Sequence, residues 1–194
     1  MSAKAVILLS TLKKKEPSNT ELLSGFFANR AKKKHVDCEI IKLVDHTILA
    51  GTYSDMGEGD DWPRILEKIL DASIVIFATP VWWGNQSSEM QRVVERLDEL
   101  HDEILEGKTS RLDGKVGGVI ITGDSDGAQH IIASIANFFN AIGLTLPPYA
   151  TLSVLSEKLK KGSKGSREEK MELFEKDYGK TADKMIDQLL KFLE

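Results

Sequence analysis

The chain has 194 residues, of which 41% are hydrophobic and 29% charged, and this predicts one domain over residues 1–194 with a sizeable core. A formal net charge of −4 argues against a nucleic-acid partner, because no broad basic field is present. The single cysteine excludes an intrachain disulfide, and the lack of a signal peptide or a membrane-length apolar run predicts a cytoplasmic protein without a membrane partner.

Strand-like and helix-like patterns alternate along the chain. Continuous apolar runs such as residues 5–9 are typical of central parallel strands covered on both faces. The predicted elements, in chain order, are a strand over 5–9, a helix after 18–20, an edge strand over 38–44, a loop over 45–61, a helix from 62, a strand over 73–78, a helix over about 88–100, a polar excursion over 102–114, a strand over 115–122, a helix over about 131–142, a strand from 144, a loop over 156–166 and a helix over about 167–193.

Several residues predict where helices begin and end. The polar trio Ser18, Asn19 and Thr20 supplies good N-cap chemistry, and Pro63 fits a first helical turn, where its missing N–H group is harmless. Ser88 with Gln91 predicts a capping box at the start of the third predicted helix. Gly143 is a natural C-terminal stop for the helix before it.

The repeated strand–helix alternation predicts an α/β fold. Such alternation implies a doubly wound parallel sheet with helices on both faces, connected by right-handed crossovers. Five strands favour the flavodoxin-like order 2-1-3-4-5, in which strands 1, 3 and 4 are neighbours. The loops that follow these three strands should therefore meet at one edge of the sheet, where open α/β sheets bind their ligands.

The first of these loops is rich in hydroxyl and amide groups and begins a helix. A helix N-terminus offers unpaired N–H groups and a partial positive charge, which suits a phosphate. An ordinary capped helix remains the alternative. The predicted phosphate contacts are Ser10, Lys13, Ser18, Asn19 and Thr20.

The other two loops suit a flat ring system. The loop after strand 3 contains two adjacent tryptophans, which can form a wall for an aromatic ligand, unless both are core residues. The loop after strand 4 is small and acidic, and it is either a contact for the opposite side of the ring or a simple turn in which an aspartate caps the helix. The predicted contacts are Thr79, Pro80, Val81, Trp82, Trp83, Gly84, Asn85, Thr122, Gly123, Asp124, Asp126 and Gly127.

The segment after strand 3 resembles a known family of flavoproteins. Thr79, Pro80, Trp83, Gly84 and Asn85 stand at the places of a Thr-Pro-x-x-x-Gly-Asn-type segment that lies against the isoalloxazine in the flavodoxin-like FMN-reductase superfamily. The resemblance extends over residues 4–151, and includes a helix that ends in a Glu-Arg-Leu segment at 95–97. The phosphate loop differs, since it is longer and lacks the arginine of many relatives.

The resemblance implies that FMN is the cofactor and NAD(P)H the co-substrate. It further implies hydride transfer to a small-molecule electron acceptor such as a quinone, a nitro compound or a free flavin, and a homodimer or tetramer. We expect no side chain to act as an obligatory acid or base, so no catalytic residue is predicted. Instead, backbone amides near Gly84 and Asn85 would stabilise negative charge on the reduced ring.

Two other functions are compatible with the fold. A flavodoxin-type electron carrier would bind FMN without reacting with a nicotinamide. A phosphoacceptor receiver domain needs acidic residues at the end of strand 1, where this chain has Leu8-Leu9-Ser10. Only His130 among the histidines lies near the predicted site, and no histidine pair has the spacing of metal ligands, so we predict no metal site.

Overall fold

The computed structural model describes residues 2–160 and 165–193. Strands and helices alternate within these ranges. Their bounds are β1 (Ala3–Leu9), α1 (Asn19–Lys33), β2 (Val36–Lys42), α2 (Trp62–Asp71), β3 (Ile74–Pro80), α3 (Ser88–Arg96), α4 (Asp98–Leu105), β4 (Val116–Gly123), α5 (Ala128–Ala141), β5 (Thr151–Leu155), α6 (Arg167–Leu173) and α7 (Gly179–Lys191). A π-helical turn, Phe174–Tyr178, joins α6 to α7.

The five strands form a parallel sheet in the order β2-β1-β3-β4-β5. The three central strands β1, β3 and β4 are buried on both faces, which is why their sequences are continuous apolar runs. One core lies between the sheet and α2, α3, α4 and α5, and a second lies between the sheet and α1 and α7. The predicted fold class and strand order are confirmed.

The two edge strands differ from their predicted bounds. β2 runs from Val36 to Lys42 rather than over 38–44, because the chain turns into a 3₁₀ helix at Leu43. β5 begins at Thr151 rather than at 144. Thr145 forms only an isolated bridge to β4, and the two prolines that follow cannot donate to a ladder.

The predicted helix over 88–100 is in fact two helices. Its N-cap is Ser87, whose side chain accepts from the N–H of Met90, so the prediction of Ser88 was wrong by one residue. The chain bends at Leu97, and α4 continues into the region that was predicted to be a surface excursion.

The remaining helix signals mostly hold. Ser18 forms a capping box with Glu21, Pro63 lies in the first turn of α2, and Gly143 has a positive φ of 76° just after α5. The final helix is interrupted by its π-helical turn, and residues 161–164 of the predicted loop lie outside the described residues. None of the helices within 2–160 and 165–193 is long and apolar enough to span a bilayer.

Candidate functional site

The loops after β1, β3 and β4 are hydrogen-bonded to one another, as their predicted convergence requires. The N–H of Val81 donates to the carbonyl of Thr122 at 2.8 Å, which joins the second loop to the third. Thr20 Oγ1 lies 2.7 Å from Thr122 Oγ1, which joins the first turn of α1 to the end of β4. The Ser87 hydroxyl donates to the Ser10 carbonyl at 2.6 Å, which joins the second loop to the first.

Part of the predicted phosphate loop is bonded within the protein. The Ser10 hydroxyl donates to a carbonyl of β3 at 2.9 Å, and the Asn19 side-chain amide donates to the carbonyl of Leu159 at 2.7 Å. Lys13 is exposed and lies 3.7 Å from Glu16. The side chains of Ser10 and Asn19 therefore hold the loop in place, while Lys13 stands at its surface.

Other groups of the first loop and of the start of α1 retain free hydrogen-bond donors. Thr11 Oγ1 accepts from a backbone N–H at 3.2 Å, and Ser18 Oγ accepts from the N–H of Glu21 at 3.0 Å. Both residues are buried, and among the described residues neither hydroxyl proton has an acceptor. The N–H groups of Asn19 and Thr20 also have no acceptor within the helix, because they lie in its first turn. This set of donors fits a phosphate such as that of FMN.

The second loop forms a tight hairpin. Trp82 and Asn85 exchange two backbone hydrogen bonds of 2.8 and 2.9 Å. The two residues between them, Trp83 and Gly84, have positive φ values of 50° and 77°, which is the signature of a type I′ turn. Such a turn favours Asn-Gly, so the bulky Trp83 is held in a strained backbone conformation. Because the N–H of Asn85 is used inside this hairpin, it is not available to a ligand, so of the two amides named in the prediction the one at Gly84 is left.

Neither tryptophan of the hairpin is a core residue. Trp83 is 96% exposed and Trp82 is 39% exposed. The alternative that both pack in the core is therefore wrong. A rigid hairpin that presents an exposed indole is a suitable wall for a planar ligand.

The third loop approaches the hairpin closely. Gly127 has a φ of 91°, and a Cβ atom built on it would lie only 2.8 Å from Cα of Gly84. The hydroxyl of Ser125 lies 3.3 and 3.4 Å from carboxylate oxygens of the exposed Asp124 and Asp126, and its one proton can be donated to either. Neither aspartate caps α5, whose N-cap is Gly127 itself, so the capping alternative is wrong.

The end of β4 is also in close contact with its neighbours. A Cβ atom on Gly123 would lie 3.0 Å from side-chain atoms of both Val81 and Leu155. The carbonyl of Gly123 accepts from the N–H of Ser156 at 3.0 Å, which places the segment after β5 beside the site.

A network of buried hydroxyl groups lies at the base of the hairpin. Ser87 is at its centre, and the sequence patterns did not identify this residue as part of the site. The N–H of Ser87 donates to Thr79 Oγ1 at 3.0 Å, and the Thr79 hydroxyl donates to the carbonyl of Pro80, also at 3.0 Å. Since Ser87 also caps α3 and bonds to Ser10, it fixes both ends of the hairpin loop. A serine before a helix is the only signal in the sequence.

A buried ion pair holds the long loop over residues 46–61 against α3. The Arg96 guanidinium, which is fully buried, donates to Asp60 Oδ2 at 2.6 Å and to the carbonyls of Leu49 and Tyr53 at 2.8 and 2.9 Å. It also lies 5.6 Å from the ring of Trp62. Arg96 belongs to the Glu-Arg-Leu segment noted in the sequence, but its burial could not be inferred from it.

The environment of Asp60 strongly favours its charged form. Burial alone would raise its pKa, but hydrogen bonds from Arg96 and from three backbone N–H groups lower the pKa to about 2. Those backbone donors belong to Met56, Trp62 and Leu49. The carboxylate thus organises the loop from inside.

Other reactive groups lie away from the loops. Burial, and then the charge of Asp37, raises the pKa of the Cys38 thiol to about 11, so it is protonated at neutral pH. His130 is exposed on α5. Within the described ranges, no group of three or more His, Cys, Asp or Glu side chains is arranged to hold a metal ion.

Comparison with known proteins decides the family. Residues 3–157 match the family model of NADPH-dependent FMN reductases. The chain belongs to this family. The predicted resemblance is thereby confirmed, and the description of the family names FMN and NADPH, the cofactor and co-substrate that the resemblance implied.

Two curated relatives match most of this chain but less of their own length. The 8-demethyl-8-aminoriboflavin-5′-phosphate synthase of Streptomyces davaonensis is 33% identical over 162 residues, which cover 77% of this chain and 62% of that protein. The divalent metal cation transporter MntH of Mycobacterium bovis is 32% identical over 159 residues, or 79% of this chain and 23% of that protein. The chain thus spans less than two thirds of either relative.

A solved structure shows the same fold over nearly the whole chain. The crystal structure of RosB with bound 8-demethyl-8-formylriboflavin-5′-phosphate superposes with a TM-score of 0.82 at 24% sequence identity. The superposition covers 99% of this chain and 79% of that one.

Proposed function

We propose that this protein is an FMN-dependent reductase that takes hydride from NAD(P)H and passes it to a small planar acceptor, such as a quinone or a flavin. The proposal rests on one observation: three loops are hydrogen-bonded to one another at one edge of the sheet. They supply a helix N-terminus suited to a phosphate, a hairpin with exposed tryptophans and a closely packed glycine. Family membership supports the same chemistry. The names of two similar proteins, the synthase and the RosB complex, both contain a 5′-phosphorylated flavin, which supports a pocket for FMN rather than riboflavin.

The residues divide into a phosphate end and a ring end. At the phosphate end, Thr11, Ser18 and the first amides of α1 would bind the phosphate oxygens. At the ring end, Trp82 and Trp83 would cover the ring, and Gly127 allows the third loop to approach it. When bound, FMN accepts a hydride from one substrate and donates it to the next.

The protein's own contribution is to position the ring and to stabilise charge. The N–H of Gly84 lies at the hairpin tip, where it can donate to a negatively charged ring edge. The close approach of the third loop to the hairpin would shield part of the bound ring from water. No side chain needs to transfer a proton in this proposal, and the acceptor, a homodimeric or tetrameric assembly and a cytoplasmic location remain predictions.

A visible spectrum and an anaerobic titration test this function. We expect the purified protein, or the protein mixed with FMN, to show the absorption of a bound oxidised flavin, and NADPH or NADH to bleach it. A protein that binds FMN but is not reduced would favour the electron carrier. A protein that takes up no FMN would refute the proposal.

A glycine variant localises the site. Gly84→Val should abolish FMN retention, because a branched side chain at a φ of 77° distorts the hairpin tip. Gly107→Val is the matched control, since Gly107 has a φ of 86°, has equal free space around it and lies in the loop after α4. Loss of FMN in both variants, or in neither, would contradict the placement of the ring.

A further inference from the structure

The contact between Thr20 and Thr122 links the two ends of the site by side chains alone. Thr20 lies in the first turn of α1, and Thr122 lies near the carboxyl end of β4. Their hydroxyl oxygens are 2.7 Å apart, and the residues are only 1% and 3% exposed. They are separated by 102 positions in sequence, so the pair is a product of the fold.

Counting protons shows that this pair has one donor left over. Two hydroxyls carry two protons, and the bond between them uses one. No other described residue accepts from either oxygen. The neighbouring hydroxyls of Ser10, Ser87 and Thr79 differ, because each donates its proton to a backbone carbonyl. A buried donor without an acceptor is unfavourable, so the leftover proton indicates an acceptor from outside the chain.

The surroundings identify the acceptor as an anionic oxygen. Thr20 lies in the first turn of α1, among the free amides of the helix start and two positions after Ser18, whose hydroxyl proton has no acceptor among the described residues. Such a helix start attracts a negative charge. Thr122 is packed instead among the strand ends. We therefore assign Thr122 as the donor of the bond between the two oxygens. The proton of the Thr20 hydroxyl is then free to be donated to the anion.

We propose that Thr122 is a positioning residue for phosphate recognition. By donating to Thr20 Oγ1, it occupies an acceptor position there and turns the Thr20 proton toward the phosphate of the flavin. This inference rests on the proposed function, and it assigns to a β4 residue, at the ring end of the site, an effect on the phosphate end. Thr122 contacts no phosphate oxygen in this arrangement, because it acts through Thr20.

The test compares the dissociation constants of FMN and of riboflavin, which lacks the phosphate. Thr20→Val should weaken FMN binding by about tenfold or more, since it removes a bond to a charged group, and leave riboflavin binding unchanged. Thr122→Val should produce a smaller loss, about threefold, that is also specific for FMN. Thr122→Ser retains the hydroxyl and should restore the wild-type ratio of the two constants.

A double variant shows whether Thr122 acts through Thr20. The variant with both valines should bind FMN no more weakly than Thr20→Val alone, because the second hydroxyl has lost its target. Fully additive losses would overturn the proposal, as would a Thr122→Val variant that weakens both ligands equally or keeps the wild-type ratio. A wild-type protein that binds neither ligand would instead refute the proposed function, and the inference with it.

Discussion

Replacement of the strained tryptophan at the hairpin tip should raise the stability of the protein and lower its affinity for FMN. Trp83 has a φ of 50°, and a left-handed backbone costs an ordinary residue about 1–2 kcal/mol. Asparagine tolerates this conformation, and Asn-Gly is the preferred sequence of a type I′ turn. Because Trp83 is 96% exposed, its replacement removes almost no buried surface. Trp83→Asn should therefore stabilise the protein by about 1 kcal/mol, which raises the melting temperature by about 3 °C for a chain of this size.

The same variant should bind FMN more weakly. If the indole covers the flavin ring, its loss removes a stacking contact of about 1 kcal/mol, which is about a fivefold change in the dissociation constant. Chemical denaturation and flavin fluorescence titration measure the two effects separately. Strain that is retained at a cost in stability is typical of a residue with a function.

His35→Asn is the matched control for this reasoning. His35 is exposed and has a φ of 60°, but it follows α1 at the opposite end of that helix from the predicted site. It should give a similar gain in stability and no change in FMN affinity. A Trp83→Asn variant with lowered stability would refute the assigned strain, and one with raised stability but an FMN affinity within twofold of the wild type would refute the stacking contact.

Two further predictions concern the buried networks. Ser87→Ala should lower the free energy of unfolding by about 1–2 kcal/mol, because it removes a helix cap and the bond to Ser10. The control Ser88→Ala should change this free energy by less than about 0.5 kcal/mol. Equal losses in the two variants, measured by urea denaturation, would contradict the assigned cap. Asp60 has a folded pKa of about 2 against an ordinary 3.8, so it contributes about 2 kcal/mol of stability that is present above pH 4 and is lost as the pH falls toward 2. Asp60→Asn should remove this part of the acid sensitivity. It should also destabilise the protein at pH 7 by about 3 kcal/mol, since Arg96 is left buried without a countercharge. If the slope of stability against pH between 4 and 2 were the same in the variant and the wild type, the assigned role of Asp60 would be wrong.

The sequence was sufficient to predict the sheet and the position of the site, because both follow from apolar runs that recur along the chain in alternation with helices. Central strands such as β1 are buried on both faces, so their apolar runs are unbroken and easily recognised. Once five such strands alternate with helices, few strand orders remain, and any of them places the loops after neighbouring strands together. The convergence of three loops is thus a consequence of topology.

The details that failed depend on single contacts between distant parts of the chain. Ser87 and Ser88 are equally good caps by residue type, and the bonds from Ser87 to the carbonyl of Ser10 and to Thr79 Oγ1 distinguish them. Arg96 looks like a surface residue of an amphipathic helix, since its acceptors lie in a loop about 40 positions earlier. The late start of β5 similarly depends on where the chain can pair with β4 after its two prolines.

The same limit explains why residue type alone cannot assign the ligand contacts. Ser10, Ser18 and Thr20 are all hydroxyl residues of one loop and its helix, so the sequence treats them as equivalent phosphate donors. In the fold, the Ser10 hydroxyl donates its proton to a carbonyl of β3, and the Ser18 hydroxyl accepts a hydrogen bond and leaves its proton free. The Thr20 hydroxyl is hydrogen-bonded to that of Thr122. Their roles differ through their partners, because a hydroxyl can serve a ligand only with the proton that the protein leaves unused. If Ser10→Ala weakened FMN binding in preference to riboflavin binding, as Thr20→Val is expected to do, this criterion for choosing ligand contacts would fail.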